Sequence, residues 1–578
     1  MVSAPASRRV LPMGDRAVLV EVDTLGEVLA LHGALAASAP PGVVEIVPAA
    51  RTILVALDVR VLSVSAARAW IERAEPGGGR DGAAAPLVEL DIVYDGPDLA
   101  DTAALLGITA HELARRHAAA EWRVAFTGFA PGFGYLVSDD WTHDIPRLAS
   151  PRTRVPAGAV GLAAGFSGAY PRETPGGWRL IGTTAAPLFD PAASPPALLA
   201  PGARVRFRPT AEPSPEPSPE PSPSPSRDGR RDTRSAPKPT SRAETHTGEL
   251  GLGGGGGSRD TSRGLGGGGG SRDTSRGLGG GGLGGGSEAP GVRVVEPGLL
   301  ATVQDLGRPG QAAQGIARSG ALDRAALRTA NRLLGNPEGA AGVEVTMGGL
   351  SAVAERDTWF AVAGAWGPVL LDGRPVDPYE PHAWPAGAEL RLDGFAHGAR
   401  AYLAVRGGVH TPLVAGSRSS DLMAGLGAPP LRAGDLLAIG APAASIPVLD
   451  IAPWGVPLDD EFVVELAPGP RADWFSAPAR ALLFESVWTA TSDASRAGMR
   501  LDGPELDRVR AGELPSEGMV PGALQVPPAG RPVVLLADGP VTGGYPVVAV
   551  VTDASLDALA QARPGTRIRF RHARPPLR

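Results

Sequence analysis

Between residues 16 and 94 apolar side chains recur in two rhythms. The runs at 16–22, 43–47, 52–57 and 87–94 are short and apolar, with a proline break between the second and third, and they predict strands. At 25–37, Leu25, Val28, Leu29 and Leu35 share one side of a 3.6-residue period, which predicts a helix, and 61–72 reads as a second. The order βαββαβ is the ferredoxin-like pattern, whose sheet is covered on one face by two helices. The expected fold is therefore α+β at the N-terminus (1–95), and the short strands that follow make the rest mostly β.

Past residue 95 the turns become the strongest signals. Thr109-Ala110-His111-Glu112 has capping-box spacing and opens a helix carrying His117. Next comes FTGFAPGFGYL (126–136), in which Pro131-Gly132 cuts an aromatic run and predicts strand, tight turn, strand. It reads as a core hairpin, or as a rigid backbone lip that a ligand approaches closely. Arg147, Arg152 and Arg154 then crowd a span stiffened by Pro146, Pro151 and Pro156. They read as a solvated face or as a pre-organised anion site. Gly176-Gly177-Trp178 leads into a further strand.

Residues 210–290 break the pattern. EPSPEPSPEPSPSPS favours extended polyproline II, and LGGGGGSRDTSRG occurs twice in tandem, so no core is expected and the segment reads as a disordered linker. A flexible tether of this length spans roughly 50 Å. Beyond it a helix is predicted at 325–334, ended by Gly335-Asn336-Pro337. There is also an internal echo. ARVRFRP (203–209) closes the first half and TRIRFRH (566–572) closes the second, with a weaker version at 432–436. Repeated short strands of this kind predict related β-barrels, one at 96–209 and two at 291–445 and 446–578.

Composition narrows the chemistry. The 578 residues carry a net charge of −6, which leaves no basic footprint for nucleic acid. The absence of cysteine removes disulfides, thiolate zinc sites and cysteine nucleophiles. The single lysine, Lys238, lies in the linker, which excludes a P-loop, a Ser–Ser–Lys amidase and a biotin-bearing hairpin. Phosphate must meet arginine or backbone N–H groups. With no apolar h-region and no membrane-length apolar run, a cytoplasmic protein is expected.

The hairpin, PRLASPRTRVPAGAVG (146–161) and TPGGWRLIGTT (174–184) together resemble the B subunit of bacterial 5-oxoprolinase, a family also known as allophanate hydrolase subunit 1 or the inhibitor of a sporulation kinase. The segment GLLATVQDLGRPGQAAQGIARSGALD (298–323), with GSRSSDLMAGLG (416–427) and SEGMVPGALQVPPAGRPVVLLADGPVTGGYPVVAVV (516–551), resembles the C subunit of the same enzyme. The chain departs from the relatives at 166–170, 428–432 and 494–498, where Arg496 and Gly498 are kept. The resemblance implies cyclophilin-like barrels and an ATP-dependent opening of 5-oxoproline to glutamate, with magnesium carried by the nucleotide, no covalently bound biotin and a separate partner of the 5-oxoprolinase A type. A homo-oligomer is compatible with it. The same paired modules form the carboxyltransferase of urea carboxylase, and an inhibitor of a histidine kinase is the third reading. The residues nominated for catalysis are His117, Asp305, Glu517 and Asp538. For substrate or nucleotide they are Arg152, Arg154, Gly176, Gly177, Arg308, Arg418, Gln525 and Thr542. No histidine–carboxylate cluster has metal-ligand spacing.

Overall fold

The computed structural model describes residues 8–75, 86–148, 150, 152–193, 196–210, 290–448, 455, 461–510, 512 and 514–574. The segment read as a linker lies, apart from its two end residues, outside the described residues. So does the start of the last expected barrel at 446–460, except for 446–448 and 455.

The N-terminal α/β domain is a four-stranded antiparallel sheet in the order Arg9–Pro12, Ala17–Glu21, Thr52–Leu57, Val43–Pro48. Helix Leu25–Ala37 starts at a complete capping box: Thr24 Oγ1 accepts the Glu27 N–H (3.2 Å), and Glu27 Oε2 accepts the Thr24 N–H (2.9 Å). Strand alternation sends Val18, Val20, Ile53 and Val55 toward this helix and Val64–Arg73, where Val28, Leu31, Leu35, Ala67 and Ile71 receive them. The opposite set, Ala17, Leu19, Val47 and Leu54, packs against Met519, Val520, Leu535, Val547 and Val550, from the far end of the chain. The sheet is thus buried on both faces, and its second face joins the two halves.

One expected strand lies elsewhere. Residues 87–94 do not complete the N-terminal sheet, because the hairpin strand Arg9–Pro12 already occupies the free edge of Ala17–Glu21. Instead Leu87–Ile92 runs parallel to Arg204–Pro209 in the next domain and buries Leu90 and Ile92 there. That domain is a seven-stranded sheet, and its two edges meet where Val93 and Thr183 exchange backbone hydrogen bonds of 2.9 and 2.8 Å. The result is a nearly closed barrel.

The last domain is a closed seven-stranded barrel in which Glu461–Pro468 runs parallel to Arg567–His572. The sequence echo is therefore structural: each RxRFR strand pairs in parallel with the first strand of its own barrel. Their outward arginines meet acidic residues there, Arg208 with Asp91 and Glu89, Arg569 with Glu461, Arg571 with Glu465. A second correspondence went unread in the sequence. Trp122 Nε1 donates to the carbonyl five residues back, at His117, and Trp488 Nε1 does the same to Leu483, both at 3.0 Å. The domain between is built from a seven-stranded and a five-stranded sheet around one core. Its weaker echo differs, since Leu436–Ile439 pairs antiparallel with Pro290–Pro297. The whole is mostly β, with seven α-helices among the described residues and with closed and nearly closed barrels of the kind expected. None of those helices is long and apolar enough to cross a membrane.

Candidate functional site: a cleft where three domains meet

The aromatic hairpin forms as its turn chemistry predicts, with strands Trp122–Thr127 and Gly134–Val137 and Phe126 stacked on Tyr135 at 4.3 Å. What approaches its bare backbone is the second half of the chain. The Phe129 N–H donates to Thr542 Oγ1 (2.8 Å), and a Cβ on Gly128 would lie 2.4 Å from that same oxygen. Thr127 Oγ1 donates to the Ala313 carbonyl at 2.6 Å. Phe129 is held at φ 65, a left-handed conformation costing about 1–2 kcal/mol, which the packed interface must offset. The lip is a docking seam.

Behind this seam lies a cleft of about 110 Å³ walled by three regions. The N-terminal sheet contributes Arg16, Glu45, Leu54 and Ala56; the loop after 305 contributes Ala312, Ala317 and Arg318; the last barrel contributes Met519, Val520, Leu535 and Val541. A smaller recess of about 50 Å³ shares Arg16 and Arg318 and adds Arg324 and Asp553. Glu45 accepts the N–H groups of Gly310 and Ala312 (3.1 Å for the latter), yet burial still pushes its carboxyl up. Arg16 donates to the Pro521 carbonyl (2.6 Å) and pairs with Asp553 at 3.2 Å. Arg324 pairs with Asp553 and Asp557, both at 3.1 Å. Burial pushes the Arg318 guanidinium down, and Arg324 adds to that while Asp553 opposes it.

On the other side of segment 517–521 is a polar cavity of about 190 Å³ lined by Glu21, Arg51, Arg471, Arg510 and Glu517. Glu517 is buried and bonded by Arg471 Nε (3.0 Å), while Arg471 also reaches Glu21 at 2.7 Å. Burial outweighs the Arg471 charge and pushes the Glu517 carboxyl up.

Beneath the cleft floor is a sealed ionic network. Arg496 bonds Glu344, Asp538 (Nε to Oδ2, 3.0 Å) and the Gly320 carbonyl. Asp538 also accepts from Ser319 Oγ (2.7 Å), and Glu344 from Tyr402 (2.7 Å) and the Leu322 N–H (3.1 Å). Asp305 accepts from Ser417 Oγ (2.6 Å), the Arg418 N–H (2.7 Å) and the Gly307 N–H (2.8 Å). Arg308 lies 3.9 Å from Asp421 and donates to the Ser419 carbonyl, and Arg418 donates to the Thr411 carbonyl.

The nominated residues thus separate into groups. Glu517, Gln525 and Thr542 gather at the seam, where Gln525 Nε2 contacts Met519 Sδ at 3.3 Å. Asp305, Arg308, Arg418 and Asp538 come together under the cleft, but as structural partners: Asp305 organises a turn, and Asp538 is bound on both oxygens.

The other five lie apart from both groups. His117, nominated for catalysis, sits in the core of the first barrel and faces none of the cavities described above. It is wholly buried among Trp122, Trp141 and Phe207, its Nδ1 and Nε2 each 2.8 Å from the hydroxyls of Tyr94 and Ser167, and burial pushes its pKa down to about 3. Leu483 takes its place relative to Trp488 in the last barrel, which marks a packing position. Arg152 and Arg154 do not form a phosphate cradle. Arg152 Nη2 is bonded to Asp98 (2.7 Å) and its Nη1 is buried without a partner, and Arg154 pairs with Glu173 in solvent. Gly176 lies in the strand facing Arg152, where a Cβ would meet the Tyr170 hydroxyl at 2.6 Å, and the Gly177 carbonyl accepts the Leu148 N–H. Thr109 caps its helix, but Glu112 binds Arg115 and Arg116 instead of returning to it.

Sequence reasoning missed Arg16, Glu45, Arg318 and Arg471. Each sits in an ordinary strand or loop context and gains at least one neighbour from a segment hundreds of residues away, as Arg471 does with Glu21. Only Arg318, within the 298–323 segment that resembles 5-oxoprolinase, had a signal nearby.

Residues 8–199 match the family described as carboxyltransferase domain, subdomain C and D, and residues 314–572 match carboxyltransferase domain, subdomain A and B. Fold and seam together define a protein of the carboxyltransferase-domain class. The chain is 38% identical to the 5-oxoprolinase C subunit of Escherichia coli (strain K12), over 48% of this chain and 90% of that one. It is 41% identical to the 5-oxoprolinase B subunit of Escherichia coli O157:H7, over 30% of this chain and 80% of that one. It belongs to the family of 5-oxoprolinase B and C subunits, with a counterpart of each in a single chain. The crystal structure of TTHA0988 superposes with a TM-score of 0.75 at 34% identity, over 96% of this chain and 99% of that one. The urea amidolyase of Lachancea kluyveri is 31% identical over 48% of this chain, but only 16% of that protein is matched.

Proposed function

We propose that the chain is the fused B and C component of an ATP-dependent 5-oxoprolinase that works with a separate A-type protein. The observation that carries this reading is that relatives of the B and C types, at 41% and 38% identity, both match one chain, whose two carboxyltransferase family matches lie in succession at 8–199 and 314–572. Those stretches share a continuous core through Leu19, Leu54, Met519 and Val547. Overall, 5-oxoproline, ATP and two waters give glutamate, ADP and phosphate. The lactam is resonance-stabilised, so transfer of the γ-phosphoryl group to its carbonyl oxygen makes the carbon electrophilic enough for water. The ring C–N bond then breaks, and the nitrogen leaves as an amine.

Such chemistry needs a base for the attacking water and donors for developing negative charge. Glu45 and Glu517 face cavities and are both pushed up by burial. Arginines line both cavities. The phosphoryl donor is assigned to the complex with the partner, because Arg152 and Arg154 are already committed elsewhere.

The test is product release by the full chain, with and without the A-type protein of the same organism. Little 5-oxoproline-dependent ADP release is expected from the chain alone, and equal amounts of ADP and glutamate once the partner is added. Full activity without the partner overturns the division of labour. Decarboxylation of carboxybiotin in the presence of a small amide, without glutamate, hands the chain to the urea carboxylase reading.

A further inference from the structure

We propose that the cleft is a binding site for a small monocarboxylate, anchored by the guanidinium of Arg318. Five charged side chains line the cleft and its recess, and four of them are committed. Arg16 is bonded to the Pro521 carbonyl and Asp553, Arg324 to Asp553 and Asp557, and Glu45 to two backbone N–H groups. Among the described residues the Arg318 side chain makes no hydrogen bond and no ion pair. Its Nε is buried without a partner, and it borders both the cleft and the recess. An unsatisfied buried donor costs about 1–3 kcal/mol and more when charged, so the fold retains it at a loss unless something occupies the space in front of it.

Size and lining select the occupant. One water needs about 10–15 Å³ on the measure that gives this cleft about 110 Å³, so a molecule of several heavy atoms fits. Apart from the charged groups the wall is apolar: Leu54, Ala312, Ala317, Met519, Leu535 and Val541. One planar guanidinium fork matches one carboxylate, whereas a phosphate dianion calls for more donors than the wall has free. The chemistry is an acid with a compact apolar body. Naming that acid as 5-oxo-L-proline rests on the proposed function; its ring would lie on the apolar wall beside Glu45, an acceptor for the lactam N–H.

Titration calorimetry on the full chain tests this with 5-oxo-L-proline, 2-pyrrolidinone (the same ring without the carboxylate) and cyclopentanecarboxylate. Saturable binding of 5-oxo-L-proline and none of 2-pyrrolidinone is expected. Arg318→Gln should weaken binding at least tenfold while leaving the melting temperature nearly unchanged, because among the described residues the side chain makes no hydrogen bond that the fold would lose and its Nε is buried without a partner; a merely structural arginine would lower it. Arg318→Lys keeps the charge but not the fork and should fall between. If 5-oxo-L-proline binds both variants as it binds the parent chain, the site is wrong and the proposed function stands. If cyclopentanecarboxylate binds through Arg318 and 5-oxo-L-proline does not, the site stands and the 5-oxoprolinase reading fails. No carboxylate binding to the full chain overturns the inference.

Discussion

Arg496 and Arg318 meet the same stretch of chain from opposite sides. Arg496 reaches up to the Gly320 carbonyl and shares Asp538 with Ser319, while Arg318, next to Ser319 in sequence, borders the cleft. Both are desolvated, yet their titration moves in opposite directions. Glu344 and Asp538 hold Arg496 in its charged form against burial, whereas burial with like charges nearby pushes Arg318 down. Burial of a charge is thus a poor marker of function, since a sealed network buries charge as well. The informative difference is whether the donors are already spent.

The largest effect is expected from opening the sealed side. Arg496→Met leaves Glu344 and Asp538 buried without their cation and should cost about 3–5 kcal/mol in denaturant unfolding. A loss below about 1 kcal/mol would mean that the network is not what joins these domains.

Next in size is His117→Leu, which installs the residue found at the matching place in the last barrel. It strands the Tyr94 and Ser167 hydroxyls and should cost about 2 kcal/mol at pH 7, with activity per folded molecule unchanged. The pH dependence sharpens the test. The histidine titrates at about 3 when folded, against 6.5 as its ordinary value, so below pH 6.5 the unfolded chain takes up a proton that the folded one refuses. Its stabilising contribution is therefore complete above pH 6.5 and lost as pH falls toward 3. The gap between parent and variant should close by about 1.4 kcal/mol per pH unit below 6, vanish near pH 5 and reverse below that. A gap independent of pH would contradict the buried neutral state.

Smaller effects are expected from the arginines first read as an anion site. Arg152→Ala breaks a half-buried pair with Asp98, which also accepts the Leu180 N–H, and should cost about 1–2 kcal/mol in melting experiments without changing 5-oxo-L-proline binding. Arg154→Ala removes a solvent-screened pair and should stay within about 0.5 kcal/mol. Weakened ligand binding in either variant would move the functional surface to the first barrel. Smallest of all, 1–209 and 291–578 co-expressed as two chains should co-purify through the Leu54–Met519 core and the Thr542 seam. Two fragments that never associate would refute that account.

What the sequence made legible was local. The Pro131-Gly132 turn, the Thr109 cap and the RxRFR strands each depend on residues within a few positions, and all form. The strand at 87–94 was legible as a strand but not in its placement, because the competing edge strand Arg9–Pro12 is short and carries little signal. Asp305 was nominated for catalysis, and the structure shows it accepting from the nearby Gly307 N–H and from the Arg418 N–H and Ser417 Oγ, two partners that the sequence does not place beside it. The partner of the hairpin backbone, Thr542, is 413 residues from Phe129, and no periodicity reports contacts at that separation. Arg318 was illegible for a different reason: its distinguishing property is a missing partner, which only the assembled fold reveals.

The parallel pairing of first and last strands has a kinetic consequence. In each of the two echoing barrels the closing rungs join residues 117 and 106 positions apart, as at Asp91–Arg208 and Glu465–Arg571. Closure of such long loops is entropically expensive and slow, so neither barrel can complete itself until its final strand has left the ribosome. Until then Leu87–Ile92 and Glu461–Pro468 each lack their parallel partner and wait as open edges during synthesis. The charges on those strands, Glu89, Asp91, Glu461 and Glu465, are what discourages wrong pairing in the interval.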